Sequence, residues 1–542
     1  MQSVAQRMTA AGETDTSAAL AIIVRRLIVI LRPKIENVLL IMKKNRILLA
    51  FLLMFFMLGG RAQTLVPNGP ETEIEDGSRL TVLGEDDQYL YLCGVKKGWY
   101  DTDDDMYITV YDKQKQIIAV EHEIDEDYEF RTAYLRDNDV VLLGYKYNKK
   151  TKSVDYYEAS FPIMEKKHKK LVLNTILSVP AEGKKLAAAL ILRSSGDNRT
   201  VFVTYTKPSN SKIDGYSLDL QVVDAEGNTL NHAQKEFSGP SPYKAKGFLT
   251  NNGAVFIEEW AQSGKDVHWG VGMVAFSSGV AYRYLTVTAA GNVVPVELTD
   301  NSREIFNPCA RMLPGKNDRF FIFGETKEGV ATILVNEEGE LQSENFFESE
   351  KPYVPENITY EAEMKDVGFE PGMVLSLQDG RVMVLAYRHS QEMWSDGRAV
   401  HINNYYQNIY LYLFDNKGDM LNSAVLPYSC VDGGGNHQDI PVIFEWKGDV
   451  WLLYNGNKSN YGSRKPSKWN RLVFTKPEPR CIVMGRLEND LNFEPKILYA
   501  PSNPRKTMSY GEYFDQLIKI TDDAVYFLMY RGSDNYIDKI TE

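Results

Sequence analysis

The side chains able to do chemistry are few and scattered. His437 and Asp439 sit in GGGNHQDIP (433–441), where three glycines permit close backbone approach. A histidine and a carboxylate two residues apart could act as base and partner or as metal ligands, or be the solvated side chains of a glycine-rich turn. The run DTDDDMY (101–107) sets Asp101, Asp103 and Asp105 at alternate positions. Such hard carboxylate oxygens suit Ca²⁺, although EF-hand spacing is missing. His389 and His401 form no zinc pattern and are expected to be exposed. Glu258 and Glu259 are adjacent, so in a strand they point to opposite faces and cannot by themselves form a catalytic carboxylate pair. No G-x-S-x-G elbow or H-E-x-x-H motif occurs. SGDNRTVF (195–202) has the Ser and Asp of an Asp-box, but Arg199 stands where its glycine belongs.

Aromatic residues with polar neighbours are the richer signal. Trp99, Tyr100, Trp269, Trp394, Tyr405, Tyr406, Tyr461 and Trp469 fall in stretches that read as long connections: 94–106, 259–283, 387–409 and 455–480. Further long connections are expected at 346–372 and 426–440. Tyr and Trp combine a large apolar contact area with a hydrogen-bonding end, which suits a binding surface for a protein or glycan. The competing reading is that these rings bury one another.

The elements that must position these residues repeat. A short Asn/Asp/Gly turn followed by an alternating apolar strand occurs eight times, beginning with Asp87 before YLYLCG and ending with Asp522-Asp523 before AVYFLMY. A second element, strand-D-x-x-G-strand, follows most copies; the plainest are LQVVDAEGNTL (220–230), ATILVNEEGEL (331–341) and LYLFDNKGDML (411–421). Together they make four antiparallel strands per unit, which is a propeller blade. The fold class expected is all-β, a β-propeller of eight four-stranded blades, with seven as the alternative count. The last unit lacks an outer strand, and the stretch between Leu65 and Leu80 is the natural donor, since closure removes two sheet edges. In such a ring the tight hairpins share one face and the long connections the other, so function is expected on the second.

Met42, Lys43, Lys44 and Arg46 precede the apolar run Ile47–Leu58 and Gly60-Arg61-Ala62, the pattern of a secretory signal peptide cleaved before Gln63. Residues 1–41 then read as an over-extended start, 42–62 as the signal, and 63–542 as a single propeller domain. The whole chain carries a formal charge of −12; beyond residue 62 it keeps 52 Lys/Arg against 70 Asp/Glu, a net of −18. That field opposes phosphate backbones, so nucleic acid is not expected as a partner, nor is a membrane span in the mature chain. The four cysteines, Cys93, Cys309, Cys430 and Cys481, include no C-x-x-C. Cys430 with Cys481, or free buried thiols, are the two readings.

A basic, Leu/Phe-rich signal ending in Ala-Gln, followed by blades that repeat strand-D-x-x-G-strand, resembles secreted β-propeller proteins of Bacteroidota cell envelopes, over about residues 42–542. The resemblance implies export, with periplasmic, outer-membrane-associated or cell-surface residence, and a role as a binding protein or envelope antigen. No specific family is singled out and no cofactor is expected, calcium at 101–105 apart. The leading expectation is a non-catalytic binding scaffold for a protein or glycan. A glycan-processing enzyme with His437 and Asp439 at the ring axis is the alternative.

Overall fold

The computed structural model describes residues 64–66 and, within 78–541, all except 97–104, 125–129, 166–170, 194–198, 211–214, 263–268, 271–272, 275–279, 297–304, 316–317, 327–328, 349–367, 396–399, 433–440, 462–471, 474–479, 500–512 and 532–533. Residues Thr64–Thr541 form one compact unit. The expected start at 1–41 and signal at 42–62 lie outside the described residues.

Eight antiparallel sheets follow one another along the chain, so the protein is an eight-bladed β-propeller. Blade 1 is built from Ser78–Glu85, Tyr89–Lys96, Asp105–Asp112 and Ile117–Ile124. Blade 2 runs from Phe130 to Pro180, blade 3 from Lys184 to Phe237, blade 4 from Pro242 to Pro295 and blade 5 from Phe306 to Glu348. Blade 6 spans Gly368–Asp432 and blade 7 Val442–Tyr499. Blade 8 takes three strands from Tyr513–Thr541 and its outermost from Thr64–Val66, with Leu65 opposite Ile540. The N-terminal segment thus supplies the missing strand, as the sequence leads one to expect.

The repeated hairpins form for a local reason. In DAEGN, Asp224 Oδ1 accepts from the amides of Glu226 (3.0 Å) and Asn228 (2.7 Å), and Gly227 takes φ +85°. Asp415 and Asn336 repeat this bonding, with Gly418 and Gly339 at φ +83°. Only glycine takes that left-handed position without strain.

Between hairpins, alternation packs each blade against both neighbours. Among the described residues there are eight buried apolar clusters, one at each blade–blade boundary, including the boundary that joins blade 8 to blade 1. At that closing boundary Leu80 and Gln516 exchange two hydrogen bonds (3.1 and 2.7 Å). The first strands of the blades converge on the axis: those of blades 3 and 4 approach so closely that a Cβ on Gly247 would meet Leu192 at 2.5 Å.

The face polarity follows the loops with one exception. The connection 163–173 in blade 2 is long yet lies among the tight hairpins. It is held because Ile163 and Leu171 are buried at the boundary of blades 1 and 2, and the Ile163 carbonyl lies 3.0 Å from His122 Nε2.

Two stretches read as loops are strands instead. Residues 387–395 and 400–409 belong to Val382–Ser395 and Val400–Phe414, paired from Val382↔Phe414 out to Ser395↔Val400, and 426–432 belong to Met420–Asp432. Their polar residues concealed a period-two pattern that pairing makes regular. All four cysteines are free thiols, although Cys430 and Cys481 share one apolar cluster.

Candidate functional site

Blade 6 carries the long-connection face beyond the ring. Its second, third and fourth strands have 14, 15 and 13 residues, whereas the second and third strands of blades 1 to 5 have between 7 and 10. Leu472–Val473, from the long insertion of blade 7, adds a parallel strand alongside Cys430–Val431. A bulge marks where the extension leaves the blade. Asn408 is the extra residue, with φ +51°, between the pairs Tyr387↔Ile409 and Arg388↔Gln407. Bulges bend a strand and re-aim its side chains, and here they turn a blade into a projecting sheet.

Side chains at this pivot are buried and largely neutral. Tyr406 packs edge-on to Tyr387 (5.6 Å) and is stacked on the His389 ring (4.9 Å, 13°). Arg388 donates from Nε to the Tyr410 hydroxyl (3.1 Å). Gln407 and Asn408 are each 1% exposed, and neither side-chain amide has a hydrogen-bond partner. Across the boundary in blade 7, Tyr461 donates to the Tyr454 hydroxyl (3.1 Å), and Cys481 Sγ donates to the Gly456 carbonyl (3.3 Å). Asn457 caps the short turn Lys458–Asn460. Burial pushes the Cys481 thiol up to about 12 and holds the Tyr454 and Tyr461 phenols well above their usual range, so all three are neutral near pH 7. Neutral amides, phenols and a thiol can orient a ligand by hydrogen bonds; none of these three gives a proton donor or acceptor poised for turnover.

The buried charges lie elsewhere, in blade 4. Val255 and Ile257 face blade 3 and Phe256 faces blade 5, so alternation sends Glu259 to the first boundary and Glu258 to the second. Glu259, fully buried, accepts from Tyr216 (2.9 Å) and pairs with Arg283 (3.2 Å). Glu258 faces Tyr284, Cys309 and Lys246, and its Oε1 has no partner. Burial raises its carboxyl to about 7, against the weaker opposing pull of Lys246 and Lys244. The two carboxylates are thus separated by the sheet and form no pair, as strand alternation requires.

Of the residues singled out by sequence, Tyr405 and Tyr406 stand in the third strand of blade 6, Tyr405 half-buried and Tyr406 in the core. Tyr461 packs against the same core, half-buried. Trp394 lies in the blade 6 extension, Trp269 in a two-residue strand paired with Met273–Val274, and Asp105 opens a strand of blade 1; their side chains lie outside the described residues. Trp99, Tyr100, Asp101, Asp103, His437, Asp439 and Trp469 lie wholly outside them. His389, expected to be exposed, is half-buried against Tyr406. Sequence reasoning passed over Gln407 and Asn408; the signal that could have found them is the unbroken run VHINNYYQNIYLYLF, too long for one blade strand. Among the described residues no group of three or more His, Cys, Asp or Glu could hold a metal ion. No helix among them is long and apolar enough to cross a membrane.

No protein-family model matches the sequence, nor does any curated protein. Solved structures do match, and the three that follow have low identity. The propeller domain of the trilobed protease of Pyrococcus furiosus is 10% identical, with a TM-score of 0.30 over 80% of this chain and 98% of that one. The Dos1 propeller is 10% identical, with a TM-score of 0.33 over 87% and 95%. A polysaccharide lyase, ulvan lyase bound to -[GlcA(1-4)Rha3S]-, is 7% identical, with a TM-score of 0.35 over 80% and 95%. What they share with this chain is the propeller; enzymes stand among them, so they leave function undecided.

Proposed function

We propose that this protein is an exported, non-catalytic propeller of the cell envelope that holds a protein or glycan partner on its long-connection face. The observation that carries the reading is the blade 6 extension: a rigid, paired sheet projecting from the ring, rooted in a buried cluster whose amides and hydroxyls stay neutral. Binding residues concentrate on segments that a rigid scaffold presents, and this is the largest such segment among the described residues. Export rests on the signal-like stretch 42–62, and residence in the periplasm or at the cell surface on the resemblance to envelope propellers. The test is to replace residues 391–404 by an Asn-Gly turn, which leaves the register Val382↔Phe414 intact, and to compare the two proteins in envelope-protein pull-downs and on a glycan array. Partners held by the parent should be lost by the trimmed protein. Full retention by a trimmed protein of unchanged melting temperature removes the proposal. Protease accessibility on intact cells separates surface from periplasmic residence.

A second reading, an enzyme with an axial site, has Glu258 as a candidate one strand out from the axis: its carboxyl, 1% exposed, is raised by burial to about 7, the proton affinity of a general acid. Full turnover of an active preparation after Glu258→Gln would dismiss that residue.

A further inference from the structure

We propose that the axial channel binds an acidic carbohydrate, a sugar chain bearing carboxylate or sulfate groups, against the first strands of blades 2 to 5. The first strands converge on the axis, so their exposed side chains open on the channel. In blades 2 to 5 these strands read FRTAYLR, KKLAAALILR, PYKAKGFL and FNPCARML: eight Lys or Arg and no Asp or Glu. The other four first strands hold Arg79 and Lys519 against Glu85, Glu370, Glu445 and Asp515. A chain with 73 acids and 61 bases has therefore gathered cations, free of acids, on half of its axial lining.

Four of the eight cations are also unspent. Lys185, Lys244, Lys246 and Arg311 are exposed, and none has a carboxylate within ion-pair distance among the described residues. Lys184 and Arg136 of the same strands reach Glu236 and Glu158, and on the rest of the molecule Lys113 and Lys519 both reach Glu85 and Arg486 reaches Asp449. The acid opposite Lys246 across the sheet is Glu258, whose carboxyl burial raises to about 7, so at neutral pH it offsets the lysine charge only in part. Like charges crowded at a convergence repel, and an anionic ligand relieves that cost.

An aromatic platform narrows the chemistry. Tyr243, 52% exposed, precedes Lys244 on the same strand, and the Lys244 ammonium lies 5.2 Å from the Trp260 ring centre. A ring beside a cation suits a sugar that offers a C–H face for stacking and a carboxylate or sulfate for the charge. The acidic body of the chain disfavours polyphosphate, which is charged throughout.

The site is separate from the blade 6 sheet, so each proposal can fail without the other. The test is calorimetry on the purified protein at low salt with oligogalacturonate, sulfated carrageenan oligosaccharide, neutral cello-oligosaccharide, oligo-dT and sodium sulfate. Binding of either acidic sugar, weakened by salt, with none of the neutral one, is expected; which acidic sugar binds tells carboxylate from sulfate. Lys244→Ala with Lys246→Ala should weaken it about ten-fold or more, as loss of two charge-assisted contacts requires. Arg311→Ala should weaken it less, and the 391–404 replacement should leave it unchanged. The two lysines are exposed, and at pH 5 Glu258 is protonated with or without them, so an unchanged melting curve at that pH is expected beside that loss. No binding of either acidic sugar at millimolar concentration, tighter binding of oligo-dT, equal binding of plain sulfate, or indifference to the lysine variants overturns the proposal.

Discussion

Blades 4 and 6 depart from the common four-stranded plan in opposite ways. Blade 4 keeps its first three strands at eight residues each and buries ions: Glu259 against Arg283 on one side, Glu258 without an ionic partner on the other. Blade 6 lengthens its strands and buries neutral groups, the Gln407 and Asn408 amides, at the root of the extension. An ion in a protein interior must be compensated or lose its charge, whereas an amide costs only its missing hydrogen bonds. Blade 4 is therefore specified electrostatically and responds to pH; blade 6 is specified by shape.

The largest effect is expected at Arg283. Its guanidinium holds Glu259, donates to the Pro240 carbonyl (2.9 Å) and lies over the Tyr216 ring. Arg283→Met should destabilise the protein by about 3–5 kcal/mol, since it strands a buried carboxylate. Urea denaturation at pH 7 measures this, and a loss under about 1 kcal/mol would show that Glu259 needs no counter-ion.

The second effect belongs to Glu258 and depends on pH. Its folded value, about 7, exceeds the ordinary value of 4.5, so between them the folded state binds more protons than the unfolded one. Its stability contribution is fully present below pH 4.5 and is lost as pH rises through 7. The loss is about 3 kcal/mol by pH 8, at 1.36 kcal/mol per unit. Glu258→Gln removes this dependence, so the variant should match the parent near pH 4.5 and exceed it at pH 8. Lys246, Lys244, Cys309 and Tyr284 surround the group and stay in both proteins, and burial raises the Cys309 thiol and the Tyr284 phenol above their ordinary values, so neither ionises in this window. Parallel stability curves from pH 4.5 to 8 would place the carboxyl in contact with water.

How much of this is legible in the sequence differs between the two blades for a physical reason. The D-x-x-G hairpins were legible because Asp224, Gly227 and their counterparts act within five residues, and ring closure because seven complete units and one short one imply a donor strand. The opposite faces of Glu258 and Glu259 follow from strand periodicity alone. The extension of blade 6 was not legible: HINNYYQ is polar enough to be a loop, and only its pairing with Arg388–Trp394 makes it a strand. Nor was the cationic half of the axis, since Arg131, Lys185, Lys244 and Arg311 are far apart in sequence and meet only when first strands converge.

The third effect has the opposite sign and belongs to blade 6. Gln407→Leu keeps the volume near that of the parent and removes an amide with no partner, so stability should rise by about 1–2 kcal/mol. Binding through the long-connection face should fall if the amide is kept for a ligand, the trade of stability for function seen at binding sites. Denaturation and the pull-down above read the two quantities separately. A destabilised Gln407→Leu protein would mean that the amide is satisfied in solution, as by an ordered water.

The smallest effect sharpens the comparison at the root of the blade 7 insertion. A Cβ on Gly456 would meet the Tyr461 hydroxyl at 2.5 Å and Val483 at 3.0 Å. The strand itself runs on undisturbed, because Gly456 pairs with Cys481 in ordinary register. Gly456→Ala should therefore cost only about 1 kcal/mol, the low end of overpacking, with the phenol rather than the backbone giving way. Displacing Tyr461 breaks its bond to Tyr454 and shifts the start of the 458–479 segment, which contributes Leu472–Val473 to the blade 6 sheet. The variant should melt close to the parent yet bind long-face partners more weakly, while an acidic sugar at the axis is held as before. Weakening of both together would mean that axis and extension form one site, and the contrast between blades 4 and 6 would then describe two walls of a single cleft.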